Sequence, residues 1–180
     1  MTPSSPPSDG RQSGRHLVLV GLMGTGKTSV GRRVAGRLGR PFLDSDAHVE
    51  SMTGRTVREI FEHDGEPAFR LLEAEALADA LASSPPAVIA AAGGVVLDPG
   101  NRRRLAGGAT VIWLRAEPAV LARRVRPGDH RPLLGDDPLV ALERMQQERR
   151  ALYEEVADHA VEVGDRPLHQ VVEEVLAVAR

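Results

Sequence analysis

The chain has 180 residues, 42% of them hydrophobic, and its 23 basic and 25 acidic side chains give a formal net charge of −2. This length predicts one domain with a sizeable core, while the charge argues against bulk attraction to nucleic acid or to a membrane surface. Because the chain has no cysteine, a disulfide framework, a thiolate nucleophile and cysteine-ligated metal are all excluded.

The N-terminal residues show no apolar pattern. Residues 1–15 are rich in Pro, Ser and Gly, which predicts a disordered tail, and we expect the folded domain to span residues 16–180. No apolar run reaches the roughly 20 residues of a membrane span and no signal peptide is visible, so we expect a cytoplasmic protein with no membrane partner. Folding is predicted to begin with a buried strand at 16–20, and a helix with apolar spacing follows at 29–38.

A phosphate-binding motif joins this strand to this helix. Gly21-Leu22-Met23-Gly24-Thr25-Gly26-Lys27-Thr28 matches G-x-x-x-x-G-K-[ST], in which backbone N–H groups cradle nucleotide phosphates, the lysine reaches the β- and γ-phosphates and the Thr hydroxyl serves Mg²⁺. Lys27 is the only lysine in the chain, which argues against a glycine-rich turn that merely connects two elements. We therefore predict that ATP is bound by Gly24, Thr25, Gly26, Lys27, Thr28 and Ser29.

Two carboxylates follow the second predicted strand, which begins at Pro41. Asp44 and Asp46 are two residues apart on what we expect to be an extended strand end, so their side chains should point the same way. One could then serve Mg²⁺ while the other accepts a hydrogen bond from an acceptor hydroxyl. The alternative is a capping pair, with Asp46 as the N-cap of the next helix, and the two roles can coexist.

The remaining elements alternate between helices and strands. Periodicity predicts helices at 47–51, 56–62, 67–81, 101–105, 118–125, 139–157 and 168–179, and strands at 87–91, 109–114 and 160–163. A turn is expected at His63-Asp64-Gly65, and Asn101 is expected to cap its helix. Residues 126–138 hold three prolines and two glycines with little periodicity, which predicts a polar, mobile lid.

This alternation predicts an α/β fold in which helices cover both faces of a parallel sheet. Ligands of such sheets bind beyond the carboxyl ends of the strands. The phosphate loop, the Asp44/Asp46 pair and Gly93-Gly94 all follow strand ends, so we expect one composite site. Phosphate-loop proteins usually carry an aspartate after the third strand, but this chain has none there, which leaves Asp44 and Asp46 as the nearest carboxylates.

Three arginines are candidate anion ligands. Arg70 starts a predicted helix with Glu73 three residues on, Arg131 lies in the predicted lid, and Arg149 lies on the long late helix. The fork of an arginine suits a carboxylate bidentately, so several arginines beside Asp46 would indicate a small anionic acceptor. For any single arginine in so arginine-rich a chain a solvated surface position is favoured, and only their joint placement beside Asp46 would indicate a site.

Several stretches, taken together from about Leu17 to the last helix, resemble the shikimate kinases, in the nucleoside-monophosphate-kinase-like group of phosphate-loop folds. Besides the phosphate loop they are Phe42-Leu43-Asp44-Ser45-Asp46, Ile60-Phe61-Glu62-His63-Asp64-Gly65-Glu66-Pro67-Ala68-Phe69-Arg70, Gly93-Gly94, Arg131-Pro132-Leu133-Leu134 and Arg149-Arg150-Ala151-Leu152-Tyr153. The resemblance implies a three-layer fold with a five-stranded parallel sheet of order 2-3-1-4-5, a mobile lid and a monomer.

The same resemblance implies transfer of the ATP γ-phosphoryl group to the 3-hydroxyl of shikimate, on the pathway to aromatic amino acids. Asp46 would bind the reacting hydroxyl, Asp44 would serve Mg²⁺ through water, and Arg131 would close over the transferring phosphoryl group with Lys27. Acceptor contacts would come from Arg70, Arg149 and the backbone of Gly93 and Gly94. Arg124 would lie against the adenine, with Arg166-Pro167 as the other wall.

One position departs from the family pattern, because Ala92 stands where the first of three glycines is usual. Its methyl group could crowd the pocket or demand a backbone conformation that alanine resists, although we expect activity to survive.

Other functions have less support. A kinase for gluconate or a nucleoside monophosphate would lack D-x-D combined with D-G-E-x-x-F-R, and a non-catalytic nucleotide-binding protein would be favoured only if Lys27, Asp46 or Arg131 were missing. Nucleic-acid binding is disfavoured by balanced charge and 3% aromatic residues. The six histidines show no metal-ligand spacing.

Overall fold

The structure is a computed structural model that describes residues 14–125, 133–135 and 137–179. The predicted tail lies outside these residues except for its last two positions. Most of the predicted lid, including Arg131, also lies outside them.

The five strands found within the described ranges form one parallel sheet, as predicted. They are β1 (His16–Val20), β2 (Phe42–Asp44), β3 (Val88–Ala90), β4 (Ala109–Arg115) and β5 (His159–Glu162). Their order in the sheet is β2-β3-β1-β4-β5, and every neighbouring pair is parallel. The order implied by the family resemblance is therefore confirmed.

In the described residues, seven helices connect and cover the strands. They are α1 (Lys27–Leu38), α2 (Ser45–Thr53), α3 (Val57–Ala82), α4 (Pro99–Gly108), α5 (Pro118–Arg124), α6 (Pro138–Val156) and α7 (Leu168–Val178), with a short 3-10 helix at Val95–Leu97. Helix α1 packs against α7, and α4 and α6 both pack against β4. In the part of the chain that the structure describes, no helix is both long and apolar enough to cross a membrane.

Helix α3 contains the predicted turn as a kink. Gly65 has φ 80° and ψ 173°, which breaks the helical path, and Pro67 then lies near the start of the second segment. Thr56 caps the first segment by accepting from the Glu59 N–H, while the Glu59 side chain accepts from the Thr56 N–H in return. The kink separates the two halves of α3 that contribute residues to the site.

Two predicted helix caps are wrong. The N-cap of α2 is Asp44, whose carboxylate accepts from the N–H groups of Asp46 and Ala47, so Asp46 lies in the first turn of the helix rather than on an extended strand end. The N-cap of α4 is Asp98, which accepts from the Asn101 N–H at 2.7 Å. In both cases the helix begins earlier than its apolar pattern does, because the acidic side chain nearest the strand satisfies the free N–H groups first.

The sheet register brings three strand ends to one level. Ala90 of β3 lies opposite Asp44 of β2 on one side and opposite Leu19 of β1 on the other. All of β1 and β3 is buried, so these ends are fixed by the core. The phosphate loop, the start of α2 and the segment after β3 therefore meet at the same edge of the sheet.

Candidate active site

An open cavity of about 580 Å³ lies at this edge of the sheet. It is lined by the phosphate loop and by most of the other residues predicted for the site, namely Asp44, Asp46, Arg70, Gly93, Gly94, Arg124 and Arg149. The sequence prediction that these residues converge is therefore confirmed for their placement. A cleft that is lined by both apolar and charged side chains is typical of a small-molecule site.

The phosphate loop is shaped by glycines. Gly21, Gly24 and Gly26 have φ values of 138°, 82° and 85°, a range that other residues rarely adopt. A Cβ atom at Gly21 would also overlap the carbonyl oxygen of Leu114. Gly26 caps α1 without any side-chain hydrogen bond, so the first N–H groups of this helix are left for an anion.

The Lys27 ammonium group lies across this loop. Its Nζ donates to the carbonyl oxygens of Gly21 at 2.8 Å and Leu22 at 3.0 Å. These two contacts keep the only cationic side chain of the loop beside the free N–H groups of α1. A polyphosphate bound there would meet an ammonium already held in position.

Thr28 and Asp44 are in direct contact. The Thr28 hydroxyl donates to Asp44 Oδ2 at 2.7 Å, while Asp44 Oδ1 accepts from the first N–H groups of α2. Among the described residues, no group of three or more His, Asp or Glu side chains could hold a metal by itself. A hydroxyl beside a carboxylate nevertheless fits Mg²⁺, which usually takes one or two protein carboxylates and completes its shell with phosphate oxygens and water.

Arg70 is held by two carboxylates. Its Nη1 donates to Glu73 Oε1 at 2.8 Å, and its Nη2 and Nε donate to Glu66 Oε1 at 2.7 and 3.1 Å. The guanidinium also lies against the backbone of Gly94, where any Cβ atom would overlap it. A side chain at position 94 would therefore force the Arg70 guanidinium to move from its observed position.

Glu73 is a buried acid with a raised pKa. Its side chain is 2% exposed, and this burial raises its pKa to about 7; the charge of Asp46 acts in the same direction, against the opposing effect of Arg70. The sequence indicated only that Glu73 could hold Arg70 in place. The structure confirms that contact and adds a carboxyl group that titrates near neutral pH.

We expect this titration to make stability depend on pH. The folded protein keeps the Glu73 proton up to a pH of about 7, whereas the unfolded chain releases it near the ordinary value of 4.5, so the contribution of Glu73 to stability is present below 4.5 and is lost as the pH rises through 7. Glu73→Gln abolishes the titration. The free energy of unfolding of both proteins is measured in urea at about pH 5.5 and about pH 8. Between these two pH values the wild type should lose roughly 1–3 kcal/mol more than the variant does. A difference that is constant or grows with pH would contradict the assignment.

Arg149 joins α6 to the segment after β3 through a contact with Gly93. Arg149 is 4% exposed, and its Nη1 donates to the Gly93 carbonyl oxygen at 3.2 Å. Its Nε is buried and has no hydrogen-bond partner among the described residues. An unpaired buried donor in the wall of a cavity is costly unless a ligand satisfies it, which suits an anionic acceptor.

Ala92 is accommodated without backbone strain. No non-glycine residue in the described ranges has a positive φ, so the conformation at this position is one that alanine adopts readily. Its N–H donates to the buried Ser45 hydroxyl at 2.8 Å. The expected difficulty with backbone conformation is thus absent, while the methyl group does contribute to the cavity wall.

The predicted adenine site is only partly assembled around the cavity. Arg124 donates to the carbonyl oxygens of Gly24 at 3.3 Å and of Gly164, so it bridges the phosphate loop and the turn after β5. Arg166 instead donates to Glu162 and Glu174, and among the described residues that line the cavity neither Arg166 nor Pro167 is present.

Two residues that line the cavity and one that contacts its Gly93 segment were not predicted as site residues. Phe61 and Phe69 pack in a tilted arrangement with 4.6 Å between ring centroids, and both line the cavity. Tyr153 donates to the Gly93 carbonyl oxygen at 2.5 Å. It lies one helical turn after Arg149, in the same stretch that carries the family resemblance, and these are the sequence signals that could have placed it near the site.

Comparison with known proteins gives one consistent family. The family model for shikimate kinase matches residues 23–180. Among curated relatives, a shikimate kinase of Pelotomaculum thermopropionicum is 45% identical over 90% of this chain and 94% of its own, and one of Symbiobacterium thermophilum is 49% identical over 89% and 94%.

Solved structures agree with this result. The shikimate kinase of Acinetobacter baumannii in complex with shikimate has a TM-score of 0.89 and 34% identity, covering 93% of each chain. A gluconokinase of Sinorhizobium meliloti has a TM-score of 0.55 at 24% identity, covering 94% of this chain and 93% of its own, which is a likeness of fold alone.

Proposed function

The chain belongs to the shikimate kinase family, and we propose that it transfers the γ-phosphoryl group of ATP to the 3-hydroxyl of shikimate, giving shikimate 3-phosphate and ADP. This reaction is a step on the route to chorismate and the aromatic amino acids. The observation that carries the proposal is the cavity itself, which is lined by the phosphate loop, Asp46, Arg70 and Arg149. Both substrates can therefore bind side by side in one space, in the orientation that transfer needs.

On the nucleotide side, the loop N–H groups and the start of α1 bind the phosphates from Gly24 to Ser29. Lys27 exchanges its carbonyl contacts for the β- and γ-phosphates and stabilises the charge that develops during transfer. Thr28 and Asp44 would hold Mg²⁺ together with the nucleotide. When bound, that ion neutralises phosphate charge and orients the transferring group.

On the acceptor side, Asp46 accepts a hydrogen bond from the reacting hydroxyl and removes its proton as the new bond to phosphorus forms. Arg70 and Arg149 bind the carboxylate of shikimate, with the unpaired Nε of Arg149 as one donor. The backbone of Gly93 and Gly94 and the apolar faces of Phe61 and Phe69 enclose the ring.

Some assignments remain predictions. Arg131 lies outside the described residues, so its contact with the transferring phosphoryl group rests on the family resemblance alone. The same holds for stacking of adenine between Arg124 and the Arg166-Pro167 turn, and for the expected monomer and cytoplasmic location.

A coupled ADP-release assay tests the proposed function. Mg·ATP is supplied with shikimate, gluconate or a panel of nucleoside monophosphates in parallel. Turnover confined to shikimate is the expected result. ATP binding without turnover of any acceptor would overturn the proposed reaction and favour a non-catalytic nucleotide-binding protein.

Arg70→Lys tests bidentate recognition of the acceptor. Lysine keeps the charge but cannot present two parallel N–H groups to a carboxylate, so we expect the KM for shikimate to rise about 10-fold while the KM for ATP stays the same. Arg150→Lys is the matched control, because Arg150 pairs with Glu154 on the exposed side of α6. A normal shikimate KM in the Arg70 variant would argue against bidentate binding.

A further inference from the structure

Tyr153 is a buried hydroxyl that the proposed chemistry does not use. It is 1% exposed, its ring stacks on Trp113 with 5.5 Å between centroids, and its hydroxyl donates to the Gly93 carbonyl oxygen at 2.5 Å. Burial raises the pKa of this phenol, so it stays a neutral hydrogen-bond donor at any working pH. It is neither exposed enough to be a nucleophile nor aimed at solvent.

The Gly93 carbonyl oxygen accepts from two donors of the same helix. Tyr153 makes the shorter bond, and Arg149 Nη1 makes a longer one at 3.2 Å. A carbonyl oxygen has two lone pairs, so these two donors saturate it. Because of the shorter contact with Tyr153, this oxygen keeps a hydrogen bond when the Arg149 guanidinium turns toward a ligand.

The segment that carries this carbonyl group is a wall of the cavity. Its other end is fixed by Ser45, whose hydroxyl accepts from the Ala92 N–H at 2.8 Å. Gly93 also lies close to the phosphate loop, since a Cβ atom there would be 3.2 Å from the Gly21 carbonyl oxygen. Two buried hydroxyls, one from each side, therefore hold the peptide between the acceptor space and the phosphate loop.

We propose that Tyr153 is a positioning residue for the acceptor: its hydroxyl fixes the Gly93 wall and leaves Arg149 available to bind the carboxylate of shikimate. This inference rests on the proposed function of the site. When the hydroxyl is removed, Arg149 is the remaining described donor to the Gly93 carbonyl oxygen, so its guanidinium is held at the wall. The wall is also less firmly fixed, because it has lost the shorter of its two hydrogen bonds. Acceptor binding is weakened, whereas the nucleotide contacts are not.

Tyr153→Phe is the direct test, because phenylalanine keeps the ring that packs on Trp113. The expected result is a shikimate KM raised about 5- to 10-fold, with the ATP KM changed less than about 2-fold. Unchanged values for both substrates, or equal losses for both, would overturn the proposal. The wild type is assayed first with shikimate: its failure would overturn the proposed function, whereas a working wild type with an unaffected variant overturns only the role of Tyr153.

Trp113→Phe is the control for packing, since it weakens the ring stack and keeps the Tyr153 hydroxyl. We expect it to lower the Tm and to leave the shikimate KM within about 2-fold of the wild type. If it raises the shikimate KM as much as Tyr153→Phe does, ring packing rather than the hydroxyl is responsible and the proposal is wrong.

A second measurement needs no substitution. Tyr153 is the only tyrosine in the chain, so growth on 3-fluorotyrosine labels this position alone. Adding shikimate should shift its fluorine NMR signal, because Arg149 leaves the carbonyl group that the phenol also contacts, and a signal that stays in place at saturating shikimate would overturn the proposal.

Discussion

Lys27→Ala is expected to lower the turnover of shikimate by about 10³-fold or more while leaving the fold intact. The ammonium is the one lysine charge in the chain and lies over the phosphate loop, where no other lysine can replace it. Its contribution grows as negative charge shifts between phosphate oxygens during transfer, so kcat should fall more than ATP affinity.

The measurement is steady-state ADP release at saturating Mg·ATP and shikimate, with the Tm recorded for each variant. Lys27→Arg separates charge from geometry: it keeps the positive charge, but the wider guanidinium does not fit the paired carbonyl contacts of Gly21 and Leu22. We expect it to recover only a small part of the rate. Substantial turnover by Lys27→Ala would overturn the phosphate-loop assignment.

Most of the fold could be predicted because its strands are short, apolar and bounded by glycine or proline. The strand at residues 16–20 was predicted with its observed bounds, and the others differ by one or two residues at their ends. Sheet order is not encoded locally, since it depends on which buried strands pair, and it was obtained from the family resemblance. The predicted starts of two helices were wrong, because α2 and α4 begin directly after Asp44 and Asp98.

Those two positions show what sequence spacing cannot decide. Asp44 and Asp46 both have N-cap chemistry, and which of them caps α2 depends on the backbone conformation where β2 ends. Both acids line the cavity, but Asp44 also caps α2 and accepts from the Thr28 hydroxyl, whereas Asp46 lies in the first turn of the helix. The predicted division of labour between them stays a prediction, and its geometry differs from the strand end that the sequence indicated.

The acceptor side of the site was harder to predict than the nucleotide side. A phosphate loop is a local motif, whereas the acceptor wall is built from α3, α6 and the segment after β3, which are far apart in sequence. Helical spacing cannot distinguish a side chain that lines a cavity from one in a dry core, as Phe69 shows. Tyr153 has the same ambiguity, because only the observed bond to Gly93 separates a positioning hydroxyl from a packed ring.

Asp46→Asn is expected to lower kcat by about 10²- to 10³-fold and to leave ATP affinity within about 2-fold. Asparagine keeps the size of the side chain and can still contact the acceptor hydroxyl, but it cannot take the proton. The charge of Asp46 also raises the pKa of Glu73, so the variant should lower that pKa and shift the pH range of the Glu73 stability loss toward acid. This shift would show that the charge was removed in place from a folded site.

Two carboxylate variants provide the comparison for Asp46→Asn. Asp44→Asn alters the cap of α2 and the contact with Thr28, so it should lower the Tm and weaken Mg·ATP binding. Asp79→Asn changes an exposed acid that pairs with His48 and should leave all kinetic constants unaltered.

The alternative role of Asp46 is structural, because a carboxylate in the first turn of α2 also stabilises the helix through its dipole. If that is its role, the Asn variant loses about 0.5 kcal/mol of the free energy of unfolding, which lowers the Tm, and kcat is unchanged. If kcat is unchanged in Asp46→Asn, the rate must instead come from positioning of the acceptor by Arg70 and Arg149 and from charge stabilisation by Lys27. A large fall in kcat at an unaltered Tm assigns the proton to Asp46, since a helix-stabilising charge has no means of acting on turnover alone.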